Sequence, residues 1–215
     1  MREYIEATSA ALGALKIPIY GTPSRSIFRV YRDVRFTHDK RPYRTHAAAY
    51  LSRDAERGTP GGLYVQIAPK SSLLAVTFYR MDPPNLNAWR RALVDDPQRF
   101  ARVLRALERA GLELGDADTE DMLARMPRGF EAQRDAPFAD LLRRKSFTVR
   151  RSLSQSEFTS DALVPVSVAF VRACLPFLRF GWALADTVSE NATCAADTAP
   201  EFRRQRARSM LPRRR

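Results

Sequence analysis

Lysine is nearly missing from this basic chain. Lys16, Lys40, Lys70 and Lys145 are the only lysines among 36 basic residues. The rest are arginine, a bias that a GC-rich coding sequence also produces. The net charge of +12 is therefore weak evidence for an anionic partner, and local clustering carries more. Cysteine is scarce too. Cys174 sits in an apolar helical pattern and Cys194 in a polar stretch, which excludes a disulfide framework and fits a reducing cytoplasm. No apolar run approaches the roughly 18 residues of a membrane span, and the N-terminus lacks an export pattern, so no membrane partner is expected. The phosphate-cradling glycine loop with its lysine, the dinucleotide glycine fingerprint, the His-Glu-x-x-His zinc motif and a nucleophile elbow are all absent. Nothing names a cofactor, an oligomeric state or a reaction. Whether the chain is an enzyme stays open. His38 and His46, the only histidines, lie near Asp33 and Asp39, but the surrounding cations would repel a divalent metal, and no metal site is expected.

What is present suffices for one core. The chain has 215 residues, 45% of them hydrophobic, enough for a single domain with an appendage. Residues 3–15 carry a helical stripe of Ile5, Thr8, Leu12 and Leu15. Runs rich in β-branched and aromatic residues predict strands at 27–32, 46–52, 63–68, 73–79 and 146–151. The short links among the first four imply an antiparallel meander rather than βαβ units. Helical spacing appears at 87–94, at 97–110 with Pro97 opening and Gly111 closing it, and at 136–143. Residues 112–134 read as irregular. A last helix starts near Asp161, keeps a three-four stripe through Leu184, and should kink at Pro176. The expected class is α+β: an antiparallel sheet of about four to five strands packed on helices, with a long C-terminal helix. Residues 1–186 form the domain. Residues 187–215, with seven arginines against three acids and no apolar periodicity, are expected to be a disordered basic tail.

Alternation in strands sorts side chains by face. Arg29 with Tyr31, His46 with Tyr50, Tyr64 with Gln66, and Thr77 with Tyr79 fall into sets two residues apart. If these align, one face of the meander is a polar, aromatic floor. Phe28 with Val30, Leu63 with Val65 and Ile67, and Leu74 with Val76 and Phe78 would then face the helices. A half-solvated sheet rich in good strand formers accounts for the same pattern.

The segment 25–46 is where chemistry concentrates. Seven cations and both histidines are interleaved there with aromatics, against only Asp33 and Asp39. Guanidinium groups grip phosphate or carboxylate, and aromatic rings stack on bases or other rings. Arg29, Tyr31, Arg32, Arg35, Lys40 and Arg44 are the ligand-binding candidates, with His46 and Asp33 as candidate general acid or base. The expected partner is a small phosphate-bearing or carboxylate-bearing ligand. The alternative is a non-catalytic module that binds nucleic acid or protein through the same patch. A surface ion-pair network among these arginines and the two aspartates is the plain structural reading.

Residues 29–46, RVYRDVRFTHDKRPYRTH, resemble the signature of a conserved hypothetical family, the domain of unknown function 2461. The resemblance continues in Pro127-Arg128-Gly129-Phe130, in Leu141-Leu142-Arg143-Arg144-Lys145-Ser146-Phe147, and in Leu153-Ser154, and covers about residues 4–186. It implies no established activity. Two departures stand out. Ala136 precedes Pro137 where the family usually shows His. An Asn-Asn-x-x-Trp-Phe-type element that usually lies some tens of residues earlier is missing, which implies truncation or loss of that element.

Overall fold

The computed structural model describes residues 1–31, 43–115 and 121–209, with side chains through Cys194. Four strands make one antiparallel sheet in sequence order: β1 (Ala47–Leu51), β2 (Gly62–Ile67), β3 (Leu73–Phe78) and β4 (Phe147–Ser152). Eight α-helices accompany them among the described residues: α1 (Arg2–Ala14), α2 (Pro23–Ser26), α3 (Pro83–Asp95), α4 (Pro97–Arg109), α5 (Ala139–Arg143), α6 (Gln155–Phe158), α7 (Leu163–Ala173) and α8 (Leu175–Ser209). This is the α+β arrangement that the periodicities predict, with the long helix at its C-terminal end.

Local chemistry sets the helix ends. The Asp82 and Asp96 carboxylates accept from the Asn85 and Arg99 amides, both at 3.0 Å, and prolines occupy the first turns of α3 and α4. Gly111, at φ 69°, turns the chain out of α4. The predicted kink is a full break. α7 ends at Ala173, Pro176 sits in the first turn of α8, and the two axes diverge by 63°. A proline there cannot continue the α7 hydrogen-bond ladder. α8 carries helical backbone past residue 186, where the sequence reading set the domain edge, and runs on to Ser209. No single described helix is long and apolar enough to cross a membrane.

Register confirms the two-faced sheet. Tyr50 opposes Tyr64, Tyr64 opposes Ala75, and Gly62 opposes Thr77, which in turn opposes Thr148. Tyr50, Tyr64, Gln66 and Thr77 therefore share one face. On the other, Ala49, Leu51, Leu63, Val65, Leu74, Val76, Phe78, Phe147 and Val149 are all fully buried. Phe78 and Phe147 from the sheet meet Trp89 of α3, Phe100 of α4, and Phe177 and Phe180 of α8 in one aromatic cluster. α1 adds Ile5 and Leu12 to the core, and the Tyr4 hydroxyl meets Ser167 Oγ of α7 at 2.8 Å.

One predicted strand does not form. Residues 27–31 make isolated bridges, Ile27 to Ala49 and Tyr31 to Tyr43, instead of a continuous ladder. The stretch is held at Ile27 and Phe28 along the outer edge of β1 and further on by residues 43–44.

The two thiols have opposite environments. Cys174 is buried at the α7–α8 break, and burial pushes its thiol up to about 12. Cys194 is exposed. Native protein is therefore expected to titrate one thiol promptly with an aromatic disulfide reagent, and the second only after unfolding. Two fast thiols in the native state would show that the break opens readily.

Candidate functional site

The described part of the basic segment is a narrow ribbon on the edge of β1. Phe28 N donates to Ala48 O at 2.9 Å, and Arg44 N to Val30 O at 2.8 Å. The first ties the stretch to β1, and the second holds residues 27–31 beside residues 43–44. Arg32, Asp33, Arg35 and Lys40 lie outside the described residues. Arg29, Tyr31, Arg44 and His46 are inside them.

Phe28 is the centre of the ribbon. Its ring packs edge-on against Tyr64 of β2, centroids 5.9 Å apart. The sequence reading placed Phe28 against the helices, and the structure corrects this: the ring lies with Tyr64 on the polar, aromatic face. The bridge from Ile27 to Ala49 puts Ile27 on the helix-facing parity and Phe28 on the opposite one, so the alternation is out of phase by one residue with the sequence expectation. Two guanidinium groups stand over the same ring. Arg44 Cζ is 5.8 Å from the Phe28 centroid and Arg57 Cζ is 5.4 Å from it. Each gains from the ring's negative face while the two cations repel one another. Arg57 Nη1 also donates to Ile27 O at 3.2 Å. Neither arginine has an acidic side chain within ion-pair distance among the described residues. The nearby Glu56 is taken by Arg25 at 2.7 Å.

The other members spread outward. Tyr31 and Tyr43 pair their rings at 5.2 Å and are 69% and 53% exposed. They offer an open aromatic surface of the kind that accepts another ring. Arg29 is exposed and, by alternation, lies on the side of the ribbon away from Phe28. His46 is half-buried immediately before β1, on the parity of Ala48 and Tyr50. The Tyr64 hydroxyl donates to Gln66 Oε1 at 3.0 Å, and Gln66 Nε2 to Ser71 O at 2.9 Å. Burial raises the Tyr64 pKa, and the Arg44 charge partly offsets that. Tyr50 is pushed up further, by burial first and the Asp54 charge second, and its hydroxyl donates to Thr59 O at 2.9 Å.

Arg57 is the residue that sequence reasoning missed. It sits in the β1–β2 connection, outside the motif. Asp54 organises that connection, accepting from Ser52 Oγ and the Glu56 amide, each at 3.0 Å, and from the Thr59 hydroxyl. Burial disfavours the Asp54 charge, but these hydrogen bonds outweigh it and hold the carboxyl below its ordinary range. No pattern in the sequence reports where such a loop curls back.

Chemically the ribbon offers two guanidinium groups over one ring, open stacking surface beside them, and tyrosine hydroxyls behind. No group of three or more His, Cys, Asp or Glu side chains that could hold a metal occurs among the described residues. Neither a curated protein nor a solved structure matches the chain. A family model does, over residues 1–180: the chain belongs to the family described as conserved hypothetical protein (DUF2461).

Proposed function

We propose that this protein binds a small phosphate-bearing or carboxylate-bearing ligand at the Phe28–Arg44–Arg57 ribbon. The observation that carries the reading is the convergence of Arg44 and Arg57 on one ring with no acidic partner among the described residues. An anion between them would relieve their repulsion and accept charge-assisted hydrogen bonds from both. A ring on the ligand would stack on Tyr31 or Tyr43. Arg32, Arg35 and Lys40 belong to the same proposal as further cations of the motif. Turnover would need an acid or base, for which His46 and Asp33 are the candidates. A cytoplasmic location belongs with this reading, since a chain with only two cysteines fits a reducing compartment.

Inorganic phosphate and pyrophosphate are the probes. Each should raise the thermal midpoint of the full chain. In the double variant Arg44→Gln, Arg57→Gln, most of that rise should vanish, whereas neutralising Arg213 to Arg215 should leave it unchanged. Undiminished stabilisation in the double variant would overturn the reading. Tight oligonucleotide binding that collapses between low and physiological salt would instead favour a nucleic-acid partner.

A further inference from the structure

A second site lies across the sheet, at the end where β3 leaves and β4 enters. A cleft of about 490 Å³ opens there. Met81, Pro83, Leu86 and Leu123 form its apolar wall, and Arg80, Arg90 and Lys145 supply its charge. The volume is within the usual range for small-molecule sites, roughly 300–1,000 Å³.

Arg90 is the unusual member. It belongs to the helical run of α3, where an arginine ordinarily reaches water, yet only 7% of it is exposed. Its Nε donates to Leu142 O at 2.9 Å, and Nη1 makes a long 3.5 Å bond to Asn87 Oδ1. Its Nη2 is buried with no hydrogen-bond partner. No acidic side chain of the described residues pairs with it. Of the described acids, Asp121 pairs with Arg80 Nε at 3.0 Å, and Asp82 caps α3 through Asn85. The α3 amides are therefore satisfied by Asp82, and Pro83 has no N–H to give, so attraction for an anion comes from the guanidinium and not from the helix end. Burial pulls the Arg90 pKa down, as expected of a charge partly removed from water. A buried guanidinium always keeps its proton, and one unmet donor on it is costly.

We infer that this cleft binds a monocarboxylate with a short apolar chain, the carboxylate bridging Nη1 and Nη2 of Arg90 and the chain lying against Met81, Leu86 and Leu123. The planar end of a guanidinium matches a carboxylate. The apolar wall disfavours a doubly charged, strongly hydrated phosphate. Because the weak Asn87 bond is the one given up, Arg90 keeps its anchor to Leu142 O while it turns its end to the ligand.

Hexanoate is the probe, followed by thermal shift and by calorimetric titration of the full chain. Wild type is expected to be stabilised by hexanoate far more than by equimolar chloride. Arg90→Met keeps the volume and removes the charge, a change that buried sites commonly tolerate; it should weaken hexanoate about tenfold or more, as the loss of a charged hydrogen-bond pair implies. Leu123→Trp fills the cleft from its half-buried lip and leaves Arg90 in place; it should abolish the response as well, and it decides the matter if Arg90→Met fails to fold. The Arg44, Arg57 double variant should retain the hexanoate response while losing that to phosphate. Absence of a response in wild type, or an equal response in Leu123→Trp, would overturn the inference without touching the ribbon proposal.

Discussion

Trp89→Ala is expected to cost roughly 3–5 kcal/mol of folding free energy. The indole is 1% exposed and touches five other rings. It stacks on Phe147 at 4.2 Å with the planes 20° apart, and meets Phe78 and Phe180 at 5.1 Å each. Those rings come from β4, β3 and α8, so one side chain of α3 joins three elements that are distant in sequence. Each such pair adds about 0.5–1.5 kcal/mol beyond the area it buries. Against a domain stability of about 5–15 kcal/mol, the variant should be marginal. Urea unfolding should show a midpoint shifted far down with little change in slope. A loss under about 1 kcal/mol would mean that the rings repack around the gap, and the cluster would then not be the keystone described here.

The second large effect comes from adding atoms. At Gly181 in α8, a β-carbon would collide with the Phe78 ring at Cζ, Cε1 and Cε2. Helix propensity alone argues the other way, since alanine is better than glycine by about 1 kcal/mol. Steric overlap should win. Phe78 is fully buried and held by Trp89 and by Phe177 at 5.3 Å, so it has nowhere to rotate. Overpacking of this kind costs about 1–3 kcal/mol, and Gly181→Ala should be destabilised by an amount in that range. Gly13→Ala is the internal comparison. It lies in α1 with nothing within 4 Å of its added carbon, and should be neutral or stabilised by up to about 1 kcal/mol. If both substitutions move the midpoint in the same direction, α8 does not approach β3 as closely as described.

Much of this architecture was legible before any coordinates. β2, β3 and β4 read out because Leu63, Val65, Leu74, Val76, Phe147 and Val149 recur every second residue in runs rich in β-branched and aromatic residues. α4 read out because Pro97 and Gly111 bracket a clean stripe. Pro176 announced a kink in one last helix, and the structure makes it the α7–α8 break. The ribbon did not, although its composition is strand-like: bridges at Ile27 and Tyr31 form where a partner happens to lie, and the partner is a matter of tertiary path. Phe28 faced the wrong way in the reading for the same reason. Of the candidate site, Arg44, Tyr31 and His46 could be singled out by local density, but Arg57 reaches Phe28 only through the course of the β1–β2 connection. Arg90 was illegible for a related cause. By helical spacing it is one more arginine of α3, and what buries it is the carbonyl of Leu142, a contact that no periodicity encodes.

β3 occupies a particular place in time as well as in space. On one side it pairs with β2 through a tight local turn, Gln66 opposite Leu73. On the other it pairs with β4 only after α3, α4 and α5 have been synthesised, Phe78 opposite Phe147. Closing the second pairing means closing a long loop, and that entropy must be met before the ladder rewards it. The hairpins β1–β2 and β2–β3 can therefore form while β3 still presents a raw edge, with Leu74, Val76 and Phe78 uncovered. During that interval the nascent chain is a template for a neighbour's strand. Refolding yield should accordingly fall with protein concentration, and β4 amides should be the last of the sheet to gain protection from hydrogen exchange.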